Sequence, residues 1–148
     1  SQTPFLGTSL DGIINCPKCG KGAVEIKCPY QHKNELWRKM KPEDIAKNGQ
    51  FYSTLSNGQL HLKTKHNYFY QIQGQMAITE LPYCDFVIWT KKGFSVQRIN
   101  FDRVFWDIMF EKLKHFYTYS MVPELITKTL WKKLKKAKDS EAQNTIAK

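Results

Sequence analysis

The chain has 148 residues, 41% of them hydrophobic and 14% aromatic, enough for one domain with its own core. No apolar run approaches the ~20 residues that a membrane-spanning helix needs, and a chain of this length with four cysteines is no disulfide-stapled miniature. A formal net charge of +10 points to a polyanionic partner, nucleic acid first, with a plain solubility charge or a basic tail as the bland alternative.

Residues 8–15 read as a strand with a glycine irregularity at Gly12, and Cys16 to Gly22 as a turn rich in Gly and Pro. Residues 23–28 are the next strand, stopped by Pro29, and residues 34–48 form one or two short helices broken at Lys41-Pro42. Asn57-Gly58 between two alternating segments is the clearest hairpin signal, because Asn and Gly accept the two positive φ angles of a tight turn. Residues 68–79 read as a helix with Phe69, Ile72 and Met76 on one face. Strands over 83–90 and 94–99 follow, joined by Lys91-Lys92-Gly93. Asp102 caps a helix running to about Tyr117, with Phe101 and Trp106 placed as a hydrophobic staple. A last helix starts near Pro123 and carries Leu125, Ile126, Leu130 and Leu134 on one side. Its lysines, from Lys128 to Lys138, put much of the charge on one helix face. The order of elements predicts an α/β sandwich with a mixed central sheet, an inserted β-hairpin and no internal domain boundary.

Glu25-Ile26-Lys27 is the most informative stretch. Side chains alternate along a strand, so Glu25 and Lys27 share a face. If the preceding turn centres on Lys18, paired residues have numbers summing to 36, and Asp11 falls opposite Glu25. Cross-strand partners have Cβ atoms about 4.5–5.5 Å apart, where two carboxylates repel unless a cation lies between them. A hard cation such as Mg²⁺ takes such oxygen ligands together with water and substrate phosphate. Lys27 is then placed to hold the attacking water or to neutralise charge on a phosphoryl transition state. A surface cross-strand ion pair is the competing explanation. Gln71 and Gln75 are spaced i,i+4, so the helix that carries them can lay Gln71 over the carboxylates; a solvated glutamine face is the alternative.

Three motifs stand in order: Ser9-Leu10-Asp11-Gly12, Glu25-Ile26-Lys27-Cys28-Pro29-Tyr30, and Tyr70-Gln71-Ile72-Gln73-Gly74-Gln75-Met76. Together with the stretch from Cys84 to Thr90, they resemble the YqaJ-type viral recombinase family, grouped with lambda exonuclease among the PD-(D/E)xK nucleases. The resemblance runs from about Thr8 to Tyr117. It implies a restriction-endonuclease-like (PD-(D/E)xK) core and a Mg²⁺- or Mn²⁺-dependent, two-metal DNA nuclease, a 5′-to-3′ exonuclease on duplex ends, of recombination, phage or mobile-element type. It assigns Asp11 and Glu25 as metal-binding acids, the Ile26 carbonyl as a further ligand, Lys27 as the catalytic lysine and Gln71 as the glutamine of the following helix, with Gln73 the second candidate. It also implies a DNA partner and a homo-oligomer, a ring trimer. Leu10 stands where the family often has Pro, the Asn57-Gly58 hairpin enlarges the link from Lys27 to Gln71, and the family's N-terminal helical segment is missing. A nucleic-acid-binding module that keeps the nuclease fold without turnover is the alternative reading.

Cys16-Pro17-Lys18-Cys19-Gly20 looks like half of a zinc ribbon, but tetrahedral Zn²⁺ wants four ligands, and a tight hairpin turn holding two thiols is the preferred reading. Cys28 and Cys84 are expected as small buried residues. Without a visible signal peptide, the thiols are read as reduced and the protein as intracellular. Lys33, Arg38, Lys63 and Lys65 lie among aromatic residues and are candidate phosphate contacts, against a solvated face. The expected organisation is one nuclease-like domain over 1–138 with a polar, frayed tail over 139–148.

Overall fold

The computed structural model describes residues 4–29 and 35–146; Lys33 lies outside them. The chain divides into two compact units, Ser1–Trp106 and Asp107–Lys148, where the sequence pattern offered no boundary.

The first unit is built on a four-stranded mixed sheet. Its first hairpin pairs β1 (Gly12–Cys16) with β2 (Gly20–Lys27), from Gly12↔Val24 to Cys16↔Gly20. Every pair sums to 36, so the turn does centre on Lys18. β1 begins four residues later than residues 8–15 suggested. The physical reason lies in the backbone of the lead-in: the Ser9 carbonyl accepts from the Gln75 side chain instead of a strand neighbour. Gly20 takes φ +76° as the chain leaves the turn, a conformation that an L side chain resists.

β2 then pairs in parallel with β5 (Tyr83–Thr90), Ala23↔Cys84 through Lys27↔Ile88, and β5 pairs antiparallel with β6 (Gly93–Asn100). The sheet order is β1-β2-β5-β6. A parallel pair needs a long crossover. Its described part holds a short 3₁₀ turn (Glu35–Lys39), α1 (Pro42–Ile45), the hairpin of β3 (Ser53–Ser56) and β4 (Gln59–Leu62), and α2 (Asn67–Thr79). Asn57 and Gly58 have φ of 49° and 74°, the turn chemistry that their dipeptide announced.

α2 starts where His66 Nδ1 accepts from the Tyr68 amide at 3.2 Å, and it stops at Glu80, whose φ of 58° leaves the helical region. Burial, then the charge of Lys63, holds His66 below its ordinary pKa, which keeps Nδ1 available as an acceptor. Ile72 and Met76, fully buried, dock the helix on the sheet. Each such side chain contributes about 1.5–3 kcal/mol when taken from water. Around them, Ala23, Phe86, Ile88 and Ile99 of the sheet, with Ile45, Phe51, Leu60 and Leu62 of the crossover, complete the core. Cys84 belongs to that core, whereas Cys28, expected to be buried, is exposed because it lies just past the last paired residue of β2.

Asp102 Oδ1 accepts from the Phe105 amide at 2.9 Å and caps α3 (Arg103–Phe116) as expected. In the second unit a π-helical turn (Tyr117–Met121) leads to α4 (Val122–Thr127) and α5 (Thr129–Ile146). The single helix expected from Pro123 is thus two. Lys128 breaks it with φ 54°, and the Glu124 carboxylate accepts from the Leu130 and Trp131 amides at 3.0 and 3.1 Å, supplying α5 with an N-terminal cap. Those amides, Leu130 first, hold the Glu124 pKa below the usual carboxylate value. α5 continues to Ile146, through residues whose polarity suggested a tail.

Candidate metal and active site

The site forms at the carboxyl end of β2. Alternation turns Glu25 toward α2, where it is 2% exposed, and leaves the Ile26 side chain on the opposite face. A buried carboxylate persists only when it is paired and hydrogen-bonded, and three donors converge on this one. Gln71 Nε2 reaches Oε1 at 2.8 Å, Gln75 Nε2 reaches Oε2 at 2.7 Å, and the Lys27 ammonium pairs closely with Oε1. Lys27 also lies 3.4 Å from Gln71 Oε1 and 4.4 Å from the centre of the Tyr68 ring. One turn of α2 separates the two glutamines, so both land on the same carboxylate.

Asp11 sits one residue before the β1 ladder. Its Oδ2 accepts from the Ile26 amide at 2.8 Å. In an extended strand a residue's N–H and C=O point to the same edge, so the Ile26 carbonyl also faces the edge on which Asp11 lies. Thus the Asp11 carboxylate and the amide and carbonyl of Ile26, the residue between Glu25 and Lys27, lie at one corner of the sheet. Close behind, burial and then the negative charge of Glu25 push the Cys84 thiol up to about 12, so it stays a neutral, inert packing group.

The donor chemistry suits a hard divalent cation. Two carboxylates and a backbone carbonyl are oxygen ligands of the kind Mg²⁺ and Mn²⁺ prefer. A carboxylate offers about four lone-pair sites, so Glu25 retains acceptor capacity beyond its three donors. Among the described residues no group of three or more His, Cys, Asp or Glu is gathered to hold an ion, so any cation here draws on the two acids, the carbonyl, water and substrate. Cys16 and Cys19 form a turn in which the Cys19 amide lies 3.4 Å from Cys16 Sγ, and all four cysteines are free thiols.

Asp11, Glu25, Lys27, the Ile26 backbone and Gln71 are therefore brought together. The basic candidates are more dispersed. Lys63 Nζ is turned onto the Gly49 carbonyl at 2.7 Å, a loop clamp, and Lys65 is exposed just before α2. Arg38 is exposed in the 3₁₀ turn, and its carbonyl accepts from the Lys91 amide at 3.0 Å, so Arg38 lies beside the Lys91-Lys92 turn at the end of β5. Gln73 is fully buried away from the acids. Its Nε2 donates to the Asn100 carbonyl and its Oε1 accepts from the Asp102 amide, which makes it a structural clamp between β6 and α3. Gln75 is the contact that sequence reasoning left without a role; its i,i+4 spacing from Gln71 was the available signal.

A mixed sheet with Glu-x-Lys at the end of a central strand, an aspartate beside it and a helix packed over the acid is consistent with a restriction-endonuclease-like α/β fold of the PD-(D/E)xK class. The YqaJ-like viral recombinase domain matches residues 1–82, which hold Asp11, Glu25, Lys27 and α2, and the chain belongs to that family. Among solved structures it is similar to an alkaline exonuclease (LHK-Exo) from Laribacter hongkongensis, at 24% identity and a TM-score of 0.44 over 88% of this chain. A complex of LHK-Exo with dAMP gives 24% and 0.43 over the same 88%. The chain spans 62% of the length of those structures. No curated protein matches it.

Proposed function

We propose that this chain is the catalytic core of a metal-dependent deoxyribonuclease, hydrolysing phosphodiester bonds as a 5′-to-3′ exonuclease on duplex DNA ends. The observation that carries the reading is the convergence on Glu25: a buried carboxylate fixed by Gln71, Gln75 and Lys27, with Asp11 bonded to the very next residue. Membership of a viral recombinase family and the net charge of +10 support DNA as the substrate.

Asp11, Glu25 and the Ile26 carbonyl would hold the cation. When bound, Mg²⁺ or Mn²⁺ there supplies Lewis-acid chemistry for water attack and charge neutralisation at the phosphoryl group. The chain's own groups do the rest. Gln71 and Gln75 keep the Glu25 carboxylate in one orientation. Lys27, held between Glu25, Gln71 and the Tyr68 ring, presents a fixed positive charge to a phosphoryl oxygen and a donor to the attacking water. Exposed Arg38, Lys65 and the Lys91-Lys92 turn provide cations for neighbouring phosphates.

The test is a linear duplex labelled at its 5′ end, incubated with Mg²⁺ or with EDTA. Native protein should release product only with the metal, and Asp11→Asn should lower the rate on the order of 100-fold or more. Binding that persists in EDTA, with no metal-dependent product from native protein, would identify a silent DNA-binding module instead.

A further inference from the structure

Gln75 does more than support Glu25. Its side-chain nitrogen carries two protons, and both are used: one goes to Glu25 Oε2 at 2.7 Å, the other to the Ser9 carbonyl at 3.1 Å. The reversed amide would set its oxygen against two acceptors, so the orientation is fixed. Gln75 is 2% exposed, and its Oε1 has no hydrogen-bond partner among the described residues. A buried amide oxygen left that way is costly, and that cost is tolerated at a residue whose two N–H groups join the segments carrying the two acids.

The sheet does not make this join. The β1–β2 ladder begins at Gly12↔Val24, so Asp11 and the residues before it lie outside the backbone pairing that would otherwise set their distance from β2. Asp11 holds to the Ile26 amide through its own carboxylate, the group needed for a ligand. Two residues earlier, the Ser9 carbonyl is fixed to α2 by Gln75, and the same nitrogen fixes Glu25. We propose that Gln75 is a positioning residue that sets the separation of the Asp11 and Glu25 carboxylates, and through it the affinity of the site for a divalent cation. The inference rests on the metal-site reading above.

The experiment is calorimetric titration of Mn²⁺ into the native chain, Asp11→Asn, Gln75→Met and Gln75→Asn, with thermal unfolding followed with and without Mn²⁺. Met keeps the volume and removes both donors; Asn keeps the amide but is one methylene too short to span Ser9 and Glu25, and it stands in if the Met variant fails to fold. Both should bind Mn²⁺ at least about tenfold more weakly than native protein, as loss of a group orienting a metal ligand does. The Mg²⁺ concentration for half-maximal cleavage should rise by a similar factor. A purely structural glutamine would lower the melting temperature and leave the Mn²⁺ affinity of the folded protein unchanged. Native-like Mn²⁺ binding by the folded Gln75 variants, with binding lost in Asp11→Asn, would overturn this inference alone. Absence of Mn²⁺ binding by native protein, or binding that Asp11→Asn leaves intact, would overturn both it and the metal-site reading.

Discussion

Gln71 Nε2 donates to Glu25 Oε1 at 2.8 Å, joining a helix to a strand across 46 positions of sequence. The same oxygen takes the Lys27 ammonium, and the other oxygen takes Gln75. Glu25→Gln places an NH₂ group where only acceptors fit. At least one buried donor then faces another donor, which costs about 1–3 kcal/mol. The substitution should abolish Mg²⁺-dependent cleavage and also lower the urea midpoint. The three converging donors are why stability should fall along with activity. Native-like unfolding would show that the donors do not depend on the carboxylate.

Gln73 offers a contrast on the same helix. It is fully buried and bridges Asn100 to Asp102. Gln73→Met keeps the volume but orphans a carbonyl and an amide, for an expected loss of roughly 2–4 kcal/mol. Cleavage per folded molecule should stay within about twofold. A large fall in rate at full folding would return Gln73 to the catalytic set.

Gly22 faces the Tyr83 ring, and an added Cβ there would stand 2.1 Å from ring carbon Cε2. The ring cannot swing away freely. Its hydroxyl bonds the Gly20 carbonyl at 3.2 Å, and the Arg98 guanidinium, itself bidentate to Asp85, lies 3.8 Å above it. Gly22→Ala should therefore destabilise by about 1–3 kcal/mol, as overpacking does. Mn²⁺ affinity of the folded fraction should be unchanged, because the clash lies at the other end of β2 from Glu25. Unaltered stability would mean that the ring is mobile.

His66 makes α2 sensitive to acid. Its folded pKa lies below the ordinary value of 6.5, so the unfolded chain takes up the proton first. The stability that it contributes is complete above about pH 6.5 and declines as the pH falls toward the folded pKa. Protonation also removes the Nδ1 acceptor that caps the helix. His66→Asn substitutes a cap that does not titrate. Its melting temperature should fall less than that of native protein between pH 7 and pH 5.5. Parallel curves would count against the cap.

Much of this was legible in sequence because it follows from local rules. The sum of 36 for β1 and β2 needed only a turn centre at Lys18, and Asn57-Gly58 needed only the rarity of positive φ. The placement of Glu25 and Lys27 on one face follows from strand alternation. What escaped depended on side chains meeting across long separations. The i,i+4 spacing puts Gln75 on the face of Gln71, but nothing local says whether that face or the one bearing Gln73 meets Glu25; only the seat of the helix on the sheet decides. The break at Lys128 escaped for a related reason. A lysine is a good helix former, and the left-handed kink exists because Glu124 captures the amides of the next helix.

The parallel pairing of β2 with β5 has a consequence for how a ribosome delivers this chain. The strand that bears Glu25 and Lys27 must wait about sixty residues for its neighbour, and the glutamines bonded to Glu25 arrive in between. Closing so distant a contact is slow. The constellation can mature only after β5 has been synthesised, so a polypeptide that stops short of it carries Asp11, Glu25 and Lys27 without the geometry that joins them.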